Sequence, residues 1–193
     1  MISNPAVDGY LLELEVCLML RYGDEINCSE IKFNKRKWVQ SKDSKTIGGA
    51  SLVLNFNGFA LSKIPRGSII ETILILLPTG FPIIDVVLID LKSKESKAQI
   101  YYIQITRSSN PFLHHKTPDN CSKRSEKALK TLMDCICTHL SIKEYDKHFV
   151  FFAPNCEELK FPDNLKTESL LFSKVIHPKS VTIPVLSKKR KNK

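Results

Sequence analysis

Phe81-Pro82-Ile83-Ile84-Asp85-Val86-Val87-Leu88-Ile89-Asp90-Leu91 is followed, after the polar run Lys92-Ser93-Lys94-Glu95-Ser96-Lys97, by Gln99-Ile100-Tyr101-Tyr102-Ile103-Gln104-Ile105-Thr106. Two short β-branched and aromatic runs separated by a polar turn predict a β-hairpin. In a hairpin symmetric about the Lys94–Glu95 peptide, Asp85 and Gln104 are equally far from the turn and stand opposite each other. Strand alternation then places Gln104 and Thr106 on the face of Asp85.

Outward from this hairpin the pattern stays extended on the N-terminal side. Residues 68–77 form another β-branched run, closed by Pro78-Thr79-Gly80, and residues 51–56 form a further strand before the Asn57-Gly58 turn signal. On the C-terminal side, Leu129, Leu132, Met133, Ile136 and Leu140 recur at helical spacing within residues 122–140. Residues 149–153 are apolar enough for a strand buried on both faces. Strand, helix, strand in that order predicts a parallel pair joined by a crossover. Residues 10–21 predict the first helix, with Leu11, Leu14 and Leu18 on one face, widened by Val16 and Leu20. Residues 24–50 read as a long polar connection with one short element around Trp38. The fold class is therefore α/β with a mixed sheet: helix, antiparallel meander, crossover helix, strand. Residues 1–162 hold this domain, residues 163–186 a C-terminal extension, and residues 187–193 a basic tail.

The composition bounds function loosely. The chain has 193 residues and a net charge of +9, but the tail concentrates that excess in Lys188, Lys189, Arg190, Lys191 and Lys193. The other 186 residues carry 24 basic and 20 acidic side chains, so a polyanionic partner is permitted by charge and not demanded. No apolar run approaches the roughly 20 residues of a membrane-crossing helix, and the N-terminus lacks a secretory signal pattern. The six cysteines include no CxxC pair, and Cys17, Cys135 and Cys137, on apolar helix-like stretches, read as small hydrophobes, with a reducing compartment as the corollary.

The informative residues are polar ones interrupting apolar strands. A buried carboxylate such as Asp85 needs a partner or a metal. Asp85 facing Gln104-Ile105-Thr106 offers oxygen ligands of the kind a partly hydrated magnesium ion accepts. The plain structural readings are that Asp85 caps the start of its strand or pairs with Arg107, and that Gln104 and Thr106 hydrogen-bond within the sheet. Glu13 and Glu15 then face solvent.

These residues resemble the restriction-endonuclease-like (PD-(D/E)xK) superfamily, and most closely the nuclease module of Crinkler and retrotransposon-hot-spot (RHS) proteins. The resemblance spans about residues 9–155. It rests on Gly9-Tyr10-Leu11-Leu12-Glu13 in the first helix, Phe81-Pro82-Ile83-Ile84-Asp85, and Gln104-Ile105-Thr106 with His114-His115 after it. The helix at 122–140 and the aromatic strand ending at Pro154 complete it. The resemblance implies a restriction-endonuclease-like fold and a metal-dependent nuclease acting on DNA, with Asp85, Gln104 and Glu13 (or Glu15) holding Mg2+ or Mn2+. Thr106 occupies the place of the superfamily's lysine. Lys116 is the candidate to supply the missing cation, with His114 or His115 as a base. Long members of that group carry an upstream NTPase module, and this chain contains no GxxxxGK[ST] loop. The tail Lys188-Lys189-Arg190-Lys191 resembles a nuclear import signal and is a nonspecific nucleic-acid contact by charge, so a nuclear location is expected, otherwise a cytoplasmic one. The alternative function is a catalytically inactive nuclease-fold module that binds nucleic acid or a protein partner.

Overall fold

The computed structural model describes residues 5–22, 26–34, 37–56, 70–78, 81–92, 97–106, 122–153 and 170–174. In chain order these form α1 (Pro5–Tyr22), β1 (Ile26–Asn34), β2 (Lys37–Ile47), β3 (Leu52–Asn55), β4 (Thr72–Leu76), β5 (Val86–Asp90), β6 (Ala98–Ile105), α2 (Lys123–Leu140), β7 (Tyr145–Ala153) and β8 (Leu170–Lys174). The strands make one sheet in the order β2-β1-β8-β7-β6-β5-β4-β3. The molecule is thus mixed α/β, with two described helices on a mixed sheet.

The hairpin that decides the fold has the register its symmetry predicts. Val86 pairs with Ile103 and Asp90 with Gln99, which centres β5–β6 on the Lys94–Glu95 peptide. β4 pairs antiparallel with β5, completing the meander. The chain then passes through α2 to β7, which pairs parallel with β6. Ser122 starts α2 by accepting the Ser125 N–H on its side chain at 3.3 Å. Ser141 ends it in the left-handed region at φ 56°, with its N–H returning to the last turn.

Two apolar clusters hold the helices to opposite faces. Leu129, Leu132, Met133 and Ile136 of α2 join Val87 and Ile89 of β5 in one cluster. Leu12, Val16 and Leu20 of α1 join Val86, Leu88 and Ile103 in the other. Phe149, Val150, Phe151 and Phe152 are buried between the two helices, as an apolar strand covered on both faces must be.

Three expectations are corrected. Leu11, Leu14 and Leu18 are 44–48% exposed, and the face of α1 toward the sheet is Leu12, Val16 and Leu20. α1 is apolar around most of its circumference, so periodicity did not single out the inner side. Residues 24–50 contain the β1–β2 hairpin in place of a polar connection. Of its described side chains only Ile26, Cys28, Ile31 and Ile47 are buried, and the register slips between Ser29 and Ile31, so no sustained alternation marks it. Residues 170–174, inside the segment read as an extension, form β8, inserted between β1 and β7.

Candidate functional site

The chain reaches β5 through a distorted corner. Ile83 has φ 80°, a left-handed value that a β-branched residue adopts only under constraint. Two residues on, Asp85 donates its N–H to Ile103 O at 2.9 Å, although Ile103 is already the ladder partner of Val86. Two residues set against one is a β-bulge. Its consequence is visible in packing: Ile84 belongs to the α2-side cluster and Val86 to the α1-side cluster, so alternation breaks at Asp85. The Asp85 carbonyl accepts the Leu77 N–H at 3.1 Å, and its carboxylate Oδ2 accepts the Ile105 N–H at 2.8 Å. The side chain thereby takes a donor that an uninterrupted ladder would have given to a β5 carbonyl.

The carboxylate is held in an unfavourable electrostatic setting. Burial raises the Asp85 pKa to about 6, the Ile105 N–H partly offsets this, and the charge of Glu13 raises it further. Glu13, one turn before Cys17 on α1, is exposed, as its plain structural reading expects, and the packing around its stem raises its pKa. The Cys17 thiol is pushed up to about 11 by burial, then by Glu13 and Asp85. Asp85, Glu13 and Cys17 therefore share one compartment between the start of β5 and α1. Cys17 was not among the sequence candidates; its spacing of four from Glu13 was the available signal. Glu15 is half-buried, and its Oε2 has no hydrogen-bond partner among the described residues.

Gln104 goes elsewhere. Its neighbours Ile103 and Ile105 face α1, so its own side chain leaves β6 on the α2 side, with Tyr102 and its ladder partner Phe151. The carboxamide Oε1 is buried there. The expected common face for Asp85 and Gln104 is thus not formed, because the bulge turns Asp85 toward α1 while β6 keeps its alternation. Thr106 is 8% exposed and donates its N–H to Phe152 O at 2.9 Å. Lys116, His114, His115, Arg107 and the tail Lys188, Lys189, Arg190 and Lys191 lie outside the described residues.

Among the described residues no three His, Cys, Asp or Glu side chains group as ligands for an ion. A protein-only cage is therefore not what this compartment offers. Magnesium, however, retains several waters and is commonly held by one or two carboxylates. Asp85 is half-buried with its acidity weakened by the charge of the exposed Glu13, and these two carboxylates are the residues that would hold such an ion. No helix among the described residues is long and apolar enough to cross a membrane. No family model, curated protein or solved structure matches this chain.

Proposed function

We propose that this chain is a metal-dependent nuclease-like protein that hydrolyses phosphodiester bonds in DNA, of the Crinkler and retrotransposon-hot-spot effector or selfish-element type. The observation that carries the reading is the Asp85–Glu13 pair, brought together from a strand start and a helix 72 residues apart in sequence, with the Asp85 pKa raised to about 6. A half-buried Asp85 carboxylate without a described basic partner costs stability, the charge of the exposed Glu13 adds to that cost, and cation binding is the chemistry that would recover it. Asp85 and Glu13 would hold Mg2+ or Mn2+; such an ion supplies charge neutralisation on a phosphate and a more acidic water. In this reading Lys116 delivers the cation that Thr106 lacks. The basic tail adds nonspecific phosphate contacts and a nuclear address, and in long members of the resembled group an NTPase module precedes the nuclease.

The test is cleavage of supercoiled plasmid with Mn2+ or Mg2+. The parent should nick DNA, and Asp85→Asn, which keeps the acceptor for Ile105, should not. A parent that binds neither ion and never nicks DNA refutes the catalytic reading.

Two observations favour a second reading, the inactive binding module. Asp85 Oδ2 is already committed to the Ile105 N–H, and Gln104 stands on the far face of β6. A gel shift without cleavage, unaffected by Asp85→Asn, selects it.

A further inference from the structure

At the other end of β6 and β7 a polar network that the nuclease reading does not use is centred on a buried histidine. β8 pairs with β7 over Phe149–Ala153 and with β1 over Ser29–Ile31. Among the described pairings, the lower part of β7, which includes His148, and the Ile26–Cys28 part of β1 have no β8 between them. Lys45, the β2 partner of Cys28, spans this level. Its Nζ lies 3.1 Å from His148 Nε2. The same ring nitrogen is 2.7 Å from Gln99 Oε1 on β6, and Gln99 Nε2 donates to Asp146 Oδ2 at 3.1 Å. Tyr101 stacks on the imidazole with centroids 5.0 Å apart, and His148 is 4% exposed.

We propose that His148 and Lys45 form a pH-sensitive latch that clips the β1–β2 hairpin to β6 and β7 while the imidazole is neutral, and releases it on acidification. The groups that face His148 are Lys45 from β2, Glu30 from β1, Gln99 and Tyr101 from β6, and Asp146 on β7. Burial and the Lys45 ammonium lower the His148 pKa to about 4, against the weaker opposing pull of Asp146 and Glu30. Gln99 Oε1, oriented by its amide's bond to Asp146, takes the Nε2–H, so the neutral ring keeps its lone pair on Nδ1; protonation there would set an imidazolium and the Lys45 ammonium 3.1 Å apart around a buried ring. Opening frees the ring to titrate near 6.5. The open state then binds the proton more tightly than the closed one, so the latch is firm at pH 7 and weakens as pH falls through 6.5, levelling near 4. Ile26, Cys28 and Ile47 of the hairpin share a cluster with Leu12, Val16 and Leu20, so release uncovers the core beneath α1.

Amide hydrogen exchange on the full chain, corrected for intrinsic rates, tests this. Between pH 7 and pH 5 the opening constant of β1–β2 amides should rise about 20-fold. Amides of α2 should show no such change. Lys45→Met removes the repelling charge, so the rise should shrink several-fold and the His148 proton resonances should titrate at higher pH. His148→Gln should abolish the rise. A pH-independent β1–β2 opening constant in the parent overturns the latch, and so does a full rise surviving His148→Gln. Neither readout involves metal or DNA, so failure of the nuclease reading leaves the test intact.

Discussion

The Asp85 carboxylate accepts the Ile105 backbone N–H at 2.8 Å, so one side chain both closes the end of the β5–β6 ladder and supplies the principal acid of the candidate site. The two roles separate by substitution. Asp85→Ala strands the Ile105 N–H and should lower stability by about 1–3 kcal/mol. Asp85→Asn keeps an acceptor, removes a charge that burial disfavours, and should be at least as stable as the parent at pH 7. Urea denaturation of the three proteins decides this, and equal losses in both variants would contradict it.

The pH dependence has a definite sign. Asp85 has a folded pKa of about 6 against 3.8 for the free side chain, so the folded state holds a proton that the unfolded state has released. Its contribution is most favourable below pH 3.8, is lost as pH rises through 6, and is flat above that. Relative to Asp85→Asn, the parent should therefore lose roughly 2–3 kcal/mol between pH 4 and pH 7. A stability difference that stays constant over this range excludes the shift.

Divalent ions should act through the same carboxylate. Mg2+ or Mn2+ should raise the thermal midpoint of the parent more at pH 7 than at pH 5, where protons compete for Asp85. The increment should vanish in Asp85→Asn and weaken in Glu13→Gln. An identical increment in all three proteins would place the ion elsewhere.

Removing Lys116 addresses the missing cation. Lys116→Ala should depress turnover far more than DNA affinity, because its charge is needed as the transition state develops. Equal loss of both marks a phosphate contact. Thr106→Lys, in contrast, puts an ammonium at a position only 8% exposed and should lower the urea midpoint, whatever it does to activity.

The two sides of α1 should respond oppositely to truncation. Leu12→Ala or Leu20→Ala empties a fully buried position and should cost about 2–5 kcal/mol. Leu14→Ala, at a position 44% exposed, should stay within about 0.5 kcal/mol of the parent. Comparable losses would mean that the outer leucines are covered in solution.

Sequence alone determined the β5–β6 register, because two apolar runs equidistant from a polar turn allow few alignments that bury the same residues. It also determined α2, whose amphipathic repeat and Ser122 cap act within one segment, and the parallel β6–β7 pair that a strand–helix–strand order requires. It identified Asp85 as a polar residue needing a cause. Which way Asp85 turns was decided by a bulge of Asp85 and Val86 opposite Ile103, a relation between two strands that no local spacing encodes. The same holds for the inner face of α1, where leucines occupy both sides and only the docked sheet selects Leu12, Val16 and Leu20. The β1–β2 hairpin and β8 depend most on their neighbours. β1 finds its second partner, and β8 both of its partners, only once the sheet exists, and Lys45 meets His148 only when β2 and β7 belong to the same sheet.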